Sequence, residues 1–83
     1  MISNNYNLKL NFSCSNGKVF DQRIKNSITI GELKNLLYKK SGMKPQNMVM
    51  YHYKTRLDDN RTMSSYRVKL NDLITIKEKG GGY

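Results

Sequence analysis

Apolar and polar residues alternate without a break from Leu8 to Cys14. Leu8, Leu10, Phe12 and Cys14 fall on one face, and Lys9, Asn11 and Ser13 on the other. A period of two predicts a half-buried strand. Ser15-Asn16-Gly17 then offers residues that tolerate positive φ, and Lys18 to Ile24 returns with Phe20 and Ile24 on one side, so the two segments read as a β-hairpin. Gln22 interrupts the apolar side of the second strand. Beyond it the period lengthens to that of a helix: Ile30, Leu33, Leu36 and Leu37 make an apolar stripe, Thr29 can cap the start, and Glu32 completes a capping box. Lys39 and Lys40 oppose the helix dipole in the last turn and Gly42 is placed for a C-terminal cap, which bounds the helix at residues 30 to 41. Pro45 breaks the chain before a short strand-like run from Met48 to Tyr53. From Lys54 to Asn71 the sequence is polar, with isolated anchors at Leu57, Met63, Tyr66 and Val68, and Leu73 to Ile76 forms a last strand with Ile74 and Ile76 on one face. The predicted order is β-β-α-β-β, a sheet of four strands with one helix across one face, which is an α+β fold.

The chain has 83 residues. That length predicts one domain with a small core and no room for a deep cavity, so a binding module is expected rather than an enzyme. The domain is expected over 8–79, with a flexible extension at 1–7 and a flexible glycine tail at 80–83. Fifteen Lys and Arg against six Asp and Glu give a formal net charge of +9, which favours acidic partners. The charge is scattered: only Lys39 and Lys40 are adjacent, and no arginine-rich arm, aromatic RNA-binding signature or metal-finger spacing accompanies it, so nucleic acid is not expected as a partner. No apolar stretch approaches the roughly 18 residues of a membrane span, and the first residues lack the pattern of a signal peptide. The single Cys14 alternates with Phe12 and Leu10, which predicts a buried thiol and an intracellular protein, cytoplasmic or nuclear, acting as a monomer.

Candidate chemistry is sparse. His52 lies between Tyr51 and Tyr53 with no partner in the sequence to orient its imidazole, and Cys14 sits on the buried side of its strand, so no catalytic residue is assigned. Asp58-Asp59-Asn60 lacks the ligand count of a calcium loop and reads as turn chemistry; neither a metal site nor a cofactor is expected.

Residues Leu57 to Val68, with Asp58-Asp59, Arg61-Thr62-Met63, Ser65 and Tyr66, followed by Leu73-Ile74-Thr75-Ile76, resemble the second half of ubiquitin. Upstream, Asn16-Gly17-Lys18, Thr29-Ile30, Lys34, Gly42 and Pro45 fall in the same register, which runs without a gap from Leu8 onward. The resemblance implies the ubiquitin-like β-grasp fold, a mixed sheet gripping one helix, with Tyr66 as a buried anchor whose hydroxyl bonds the backbone of the Asp58-Asp59 loop. It also implies that Tyr51, Tyr53, Lys54, Arg56 and Lys77 lie on or beside the sheet face used by protein partners, and tyrosine with arginine is a composition favoured at binding hot spots. Three positions of ubiquitin's apolar recognition patch hold Ser15, Tyr51 and Lys77 here, so proteins that read that patch are expected to bind poorly.

The end of the sequence, Gly80-Gly81-Gly82-Tyr83, bears on function through the same resemblance. A glycine tail lacks Cβ atoms and can thread a narrow enzyme tunnel. The implied reading is a protein modifier: a processing protease removes Tyr83, activating and conjugating enzymes use Gly81 and Gly82 as the conjugation tail, and Lys79 helps select the activating enzyme. Ubiquitin's penultimate-region arginine has no counterpart here. The alternative is a noncovalent interaction domain or adaptor. Thr29-Ile30-Gly31-Glu32-Leu33-Lys34-Asn35-Leu36, with Val49, Thr55, Asp59, Tyr66 and Leu73, is also similar to the ubiquitin-fold splicing regulators that act without conjugation. Ile28 stands where those proteins carry an Asp that holds a partner helix. The Ser65-Tyr66 region is loosely similar to ubiquitin-like domains of tubulin-folding cofactors.

Overall fold

The hairpin forms where the alternation predicts it. The structure, a computed structural model, describes residues 7–79. In it β1 (Asn7–Cys14) pairs antiparallel with β2 (Val19–Lys25), from Asn7 opposite Lys25 to Ser13 opposite Val19. The turn depends on Gly17 at φ +95°, a conformation that side chains resist. Gln22, on the inward side of β2, is half-buried.

Helix α1 (Ile30–Ser41) starts and stops at its sequence signals. Thr29 Oγ1 accepts from Glu32 N–H at 3.1 Å, while Glu32 Oε1 accepts from Thr29 N–H at 3.0 Å. Such a cap stabilises a helix by about 1 kcal/mol. At the other end Gly42 adopts φ 75° and its N–H closes on the Tyr38 carbonyl at 3.0 Å. Ile30, Leu33 and Leu37 are buried, but Leu36 is 50% exposed, against the expectation of a four-residue stripe. At 3.6 residues per turn Leu36 lies about 60° beyond Leu33, outside the arc facing the sheet. Lys34 and Ser41 are buried in that arc instead.

The sheet has five strands rather than four. After β3 (Met48–His52) the chain turns through Tyr53, at φ 56°, and Lys54 into β4 (Thr55–Arg56), which pairs Tyr51 with Arg56 and His52 with Thr55. Two residues are too few for a period of two to register, and the left-handed Tyr53 ends β3 one residue before the predicted limit. β5 (Leu73–Glu78) lies between β1, to which it is parallel, and β3, to which it is antiparallel, giving the order β2-β1-β5-β3-β4.

Leu10, Phe12, Met48, Met50, Ile74 and Ile76 point from one sheet face onto Ile30, Leu33 and Leu37, and Met43, Leu57 and Met63 complete the core from the connections. The polar segment before β5 is fixed to the start of α1. Ile30 N–H donates to Arg61 O (2.9 Å) and Gly31 N–H to Asp59 O (3.1 Å), which with the reciprocal Thr29–Glu32 bonds satisfies all four donors that a helix start leaves open. Lys34 Nζ reaches Asp59 Oδ1 at 2.6 Å. Asp58 N–H donates to the Tyr66 hydroxyl at 2.7 Å, the anchoring expected of Tyr66, and Arg61 lies 4.2 Å from the Tyr66 ring centre.

Candidate protein-interaction face

Because α1 covers one side of the sheet, strand alternation leaves the other side open. Register builds a row of side chains across all five strands there: Val19 opposite Ser13, Ser13 opposite Thr75, Thr75 opposite Tyr51, and Tyr51 opposite Arg56. In the next row Lys77 stands opposite Val49, and its Nζ lies 5.3 Å from the centre of the Tyr51 ring. An exposed cation over an aromatic ring contributes about 0.5–1 kcal/mol, enough to bias both side chains toward one arrangement. Ser15 is tied beside them: its N–H donates to Ile76 O at 2.8 Å and its hydroxyl accepts from Glu78 N–H at 3.3 Å. The three positions that replace an apolar patch are therefore neighbours, and they present a hydroxyl, a phenol and an ammonium.

Of the five residues assigned to this face from sequence, the structure joins Tyr51, Arg56 and Lys77. Tyr53 and Lys54 form the β3–β4 turn, both exposed. Tyr53 is directed elsewhere: its ring centre is 4.5 Å from that of His52 and its hydroxyl approaches Asp72 Oδ1 at 3.4 Å. The face is basic. Alternation puts Lys9, Arg23, Lys25, Arg56 and Lys77 on this side with one carboxylate, Asp21, whose Oδ2 lies 3.7 Å from Lys9 Nζ. A field of one sign on a protein surface attracts the opposite sign in a partner.

His52 does have an orienting partner. Its Nε2 is 2.9 Å from Asp72 Oδ2, and both side chains are largely buried. Asp72 is a hub: Lys69 N–H donates to it at 2.9 Å, and its pKa is held below the ordinary carboxylate value first by that backbone bond, against the opposing effect of burial, and then by His52 and Tyr53. The pair joins the end of β3 to the loop before β5, a structural role. Twenty residues separate the two in sequence, and no local pattern connects them. Lys69 and Asp72 lie in a tight turn, so the one available signal was the Asn71-Asp72 turn itself.

Cys14 is buried, and burial pushes its thiol pKa up while Lys18 opposes this in part, so the sulfur stays protonated and inert. Asp59 is engaged by Lys34, and among the described residues no three metal-ligating side chains come together. No helix among them is long and apolar enough to cross a membrane. Lys79 is exposed, with its N–H donating to Asn47 O at 2.7 Å. Gly81, Gly82 and Tyr83 lie outside the described residues, as do residues 1–6 of the expected 1–7 extension, whose last residue, Asn7, instead opens β1.

Comparison with known proteins gives a consistent result. The family model for the ubiquitin-like domain matches residues 7–81. Among solved structures, the UBL domain of Plasmodium falciparum Dsk2 superposes with a TM-score of 0.84 at 18% identity, covering 89% of this chain and 100% of that one. At that identity the likeness is one of fold. No curated protein matches the chain.

Proposed function

We propose that this chain, which belongs to the ubiquitin-like domain family, acts as a noncovalent protein-recognition domain whose open sheet face docks on an acidic protein surface. The observation that carries this reading is the Tyr51–Arg56–Lys77 cluster: an aromatic ring flanked by two cations, set by strand register, with no part in the core. Tyr and Arg together concentrate binding energy at interfaces. The substitution of Lys77 and Ser15 for apolar residues moves the preference from apolar patches toward carboxylates, because a lysine buried against an apolar partner would lose its hydration without compensation. The partners on this reading are cytoplasmic or nuclear proteins, in keeping with a lone buried thiol, and a net charge of +9 keeps copies of the chain apart as monomers.

A second reading is favoured by the glycine run directly beyond β5. In it the chain is a modifier: Tyr83 is removed, other enzymes adenylate the Gly82 carboxylate and pass it through thioesters to a target lysine, and Lys79 contributes to selection of the activating enzyme. The two readings separate in one experiment. N-terminally tagged wild type, Tyr51→Ala/Arg56→Glu and Gly81→Ala/Gly82→Ala are expressed in the source cells and compared in native capture and on denaturing gels. Recognition predicts partners held only under native conditions, lost from the face variant and kept by the glycine variant. High-mass adducts that survive denaturation and vanish in the glycine variant would overturn the noncovalent reading and establish the modifier.

A further inference from the structure

Two turns meet at the end of the sheet where β3 stops and β5 starts. Tyr53 and Lys54 form the β3–β4 turn, and Lys69 to Asp72 form the other, closed by Asp72 N–H on Lys69 O at 3.0 Å with Asn71 at φ 68°. Asp72 ties the two together: the Tyr53 hydroxyl approaches its Oδ1 at 3.4 Å, and His52 Nε2 lies 2.9 Å from its Oδ2. The second turn is also fixed to β1, because Asn71 N–H donates to Lys9 O at 2.7 Å, Asn11 N–H to Asp72 O at 3.0 Å, and Asn11 Nδ2 to Asn71 O at 3.0 Å.

This braced tip holds apolar side chains in water. Tyr53 is 69% exposed, Leu70 59%, and Leu73, the first residue of β5, 44%. Single exposed apolar residues are ordinary on a protein surface. Here three stand on two bridged turns, and the bonds that Lys69 and Asn71 make on either side of Leu70 keep it from folding inward. Grouped exposure of this kind marks a contact surface. The charge around it is positive: Lys54 follows Tyr53, and Arg67 and Lys69 precede Leu70, all exposed, and among the described residues none of these three cations forms an ion pair. The one carboxylate within the two turns, Asp72, is occupied by Lys69 N–H, His52 and Tyr53.

We propose that this tip docks on a membrane surface rich in anionic phospholipid, with Tyr53, Leu70 and Leu73 entering the headgroup layer and Lys54, Arg67 and Lys69 facing lipid phosphates. Shape decides for lipid over protein. Two turns make a convex end, and the clefts beside α1 include none of its residues; a folded partner holds apolar side chains in pockets that match them, whereas a bilayer interface yields around them. Tyrosine suits the headgroup level, where its ring is apolar and its hydroxyl stays wet. Lysines on flexible stems are drawn to anionic headgroups without needing a fixed geometry. Three apolar side chains and three cations give reversible, peripheral binding that strengthens with the fraction of anionic lipid. Lys77 stands four residues beyond Leu73, roughly 13 Å along the strand, so that part of the open face stays available to a protein partner.

The test is co-sedimentation with vesicles of phosphatidylcholine alone and with about a third phosphatidylserine added. Wild type sediments with the mixed vesicles and not with the neutral ones. Lys54→Glu/Lys69→Glu weakens binding by about tenfold or more, while Lys39→Glu/Lys44→Glu, the same change of charge at the other end of β3, weakens it by less than about twofold. Tyr53→Asn/Leu70→Ser, two exposed positions with Asn suited to the positive φ at 53, keeps the circular dichroism of the wild type and lowers binding by about fivefold. In small bicelles with a headgroup spin label, the ¹⁵N amide signals of Lys54 and Leu70 broaden and those of Lys39 and Lys44 do not. The proposal is overturned by the absence of sedimentation with mixed vesicles, by equal losses from the two lysine pairs, or by full binding in Tyr53→Asn/Leu70→Ser. Soluble polyglutamate that shifts the tip amides as strongly as the vesicles do would also overturn it, since an acidic protein would then be the occupant.

Discussion

Replacing Asp59 by Asn tests how the helix is held to the loop before β5. Lys34 Nζ sits 2.6 Å from Asp59 Oδ1, and the side chains are unequally placed, 11% exposed for the lysine and 60% for the aspartate. Removing one partner of a buried ion pair costs about 3–5 kcal/mol, because the remaining charge stays desolvated. Water already reaches Asp59 and screens the pair, so the expected loss is about 2 kcal/mol. A domain of this size moves by about 4–8 °C per kcal/mol, which makes the fall in melting temperature about 10 °C. Lys34→Met keeps the length of the stem and removes the charge, and it should stay within about 1 kcal/mol of wild type. The double variant should then match Lys34→Met, a coupling of about 2 kcal/mol. Urea unfolding followed by circular dichroism measures all four proteins, with an unchanged m-value as the check that the unfolded state is shared. If Asp59→Asn keeps its full effect in the Lys34→Met background, the stranded-charge explanation fails.

Tyr66→Phe retains the ring against Arg61 and removes only the hydroxyl that accepts from Asp58 N–H; the expected loss is about 1 kcal/mol in urea titration, the low end for an unpaired donor since Asp58 is exposed to water, and a change near zero would mean that water replaces the hydroxyl fully. Asp72 has a folded pKa below its ordinary 3.8, so its stabilising contribution is present above that value and is lost as pH falls through the lower folded one. Asp72→Asn should therefore flatten the acid limb of a plot of urea midpoint against pH, and a variant whose acid limb keeps the wild-type slope would show that other carboxylates set it.

What the sequence revealed depended on how local each cause is. Thr29, Glu32 and Gly42 act within one turn of the helix end, and the structure places both ends of α1 where these residues indicate. Alternation identified β1 because every second residue there meets the core. It failed at β4, whose two residues owe their strand geometry to pairing with Tyr51 and His52, and at Leu36, where a count of apolar residues overstated the width of the buried arc. The position of β5 between β1 and β3 emerged only with the structure, since periodicity carries no information about neighbours. Tyr51, Arg56 and Lys77 were selected through that same resemblance, and register explains why they meet while Tyr53 turns to Asp72. The pairs Lys34–Asp59 and His52–Asp72 join distant segments, and nothing in the composition of either segment announces the other.

The position of β5 also constrains how the molecule is made. The hairpin of β1 and β2 and the pair β3–β4 meet in the sheet only through that strand, so a chain emerging from the ribosome carries two half-sheets with unfilled inner edges until Glu78 has been synthesised. Helix α1 can form early, but its apolar side has half a platform to rest on. Folding waits on contacts between distant parts of the chain, such as Asn11 with Leu73, and topologies dominated by such contacts fold slowly and expose strand edges meanwhile. A nascent chain arrested before Leu73 should therefore be protease-sensitive and in need of chaperones, and one extended past Glu78 should become resistant in a single step.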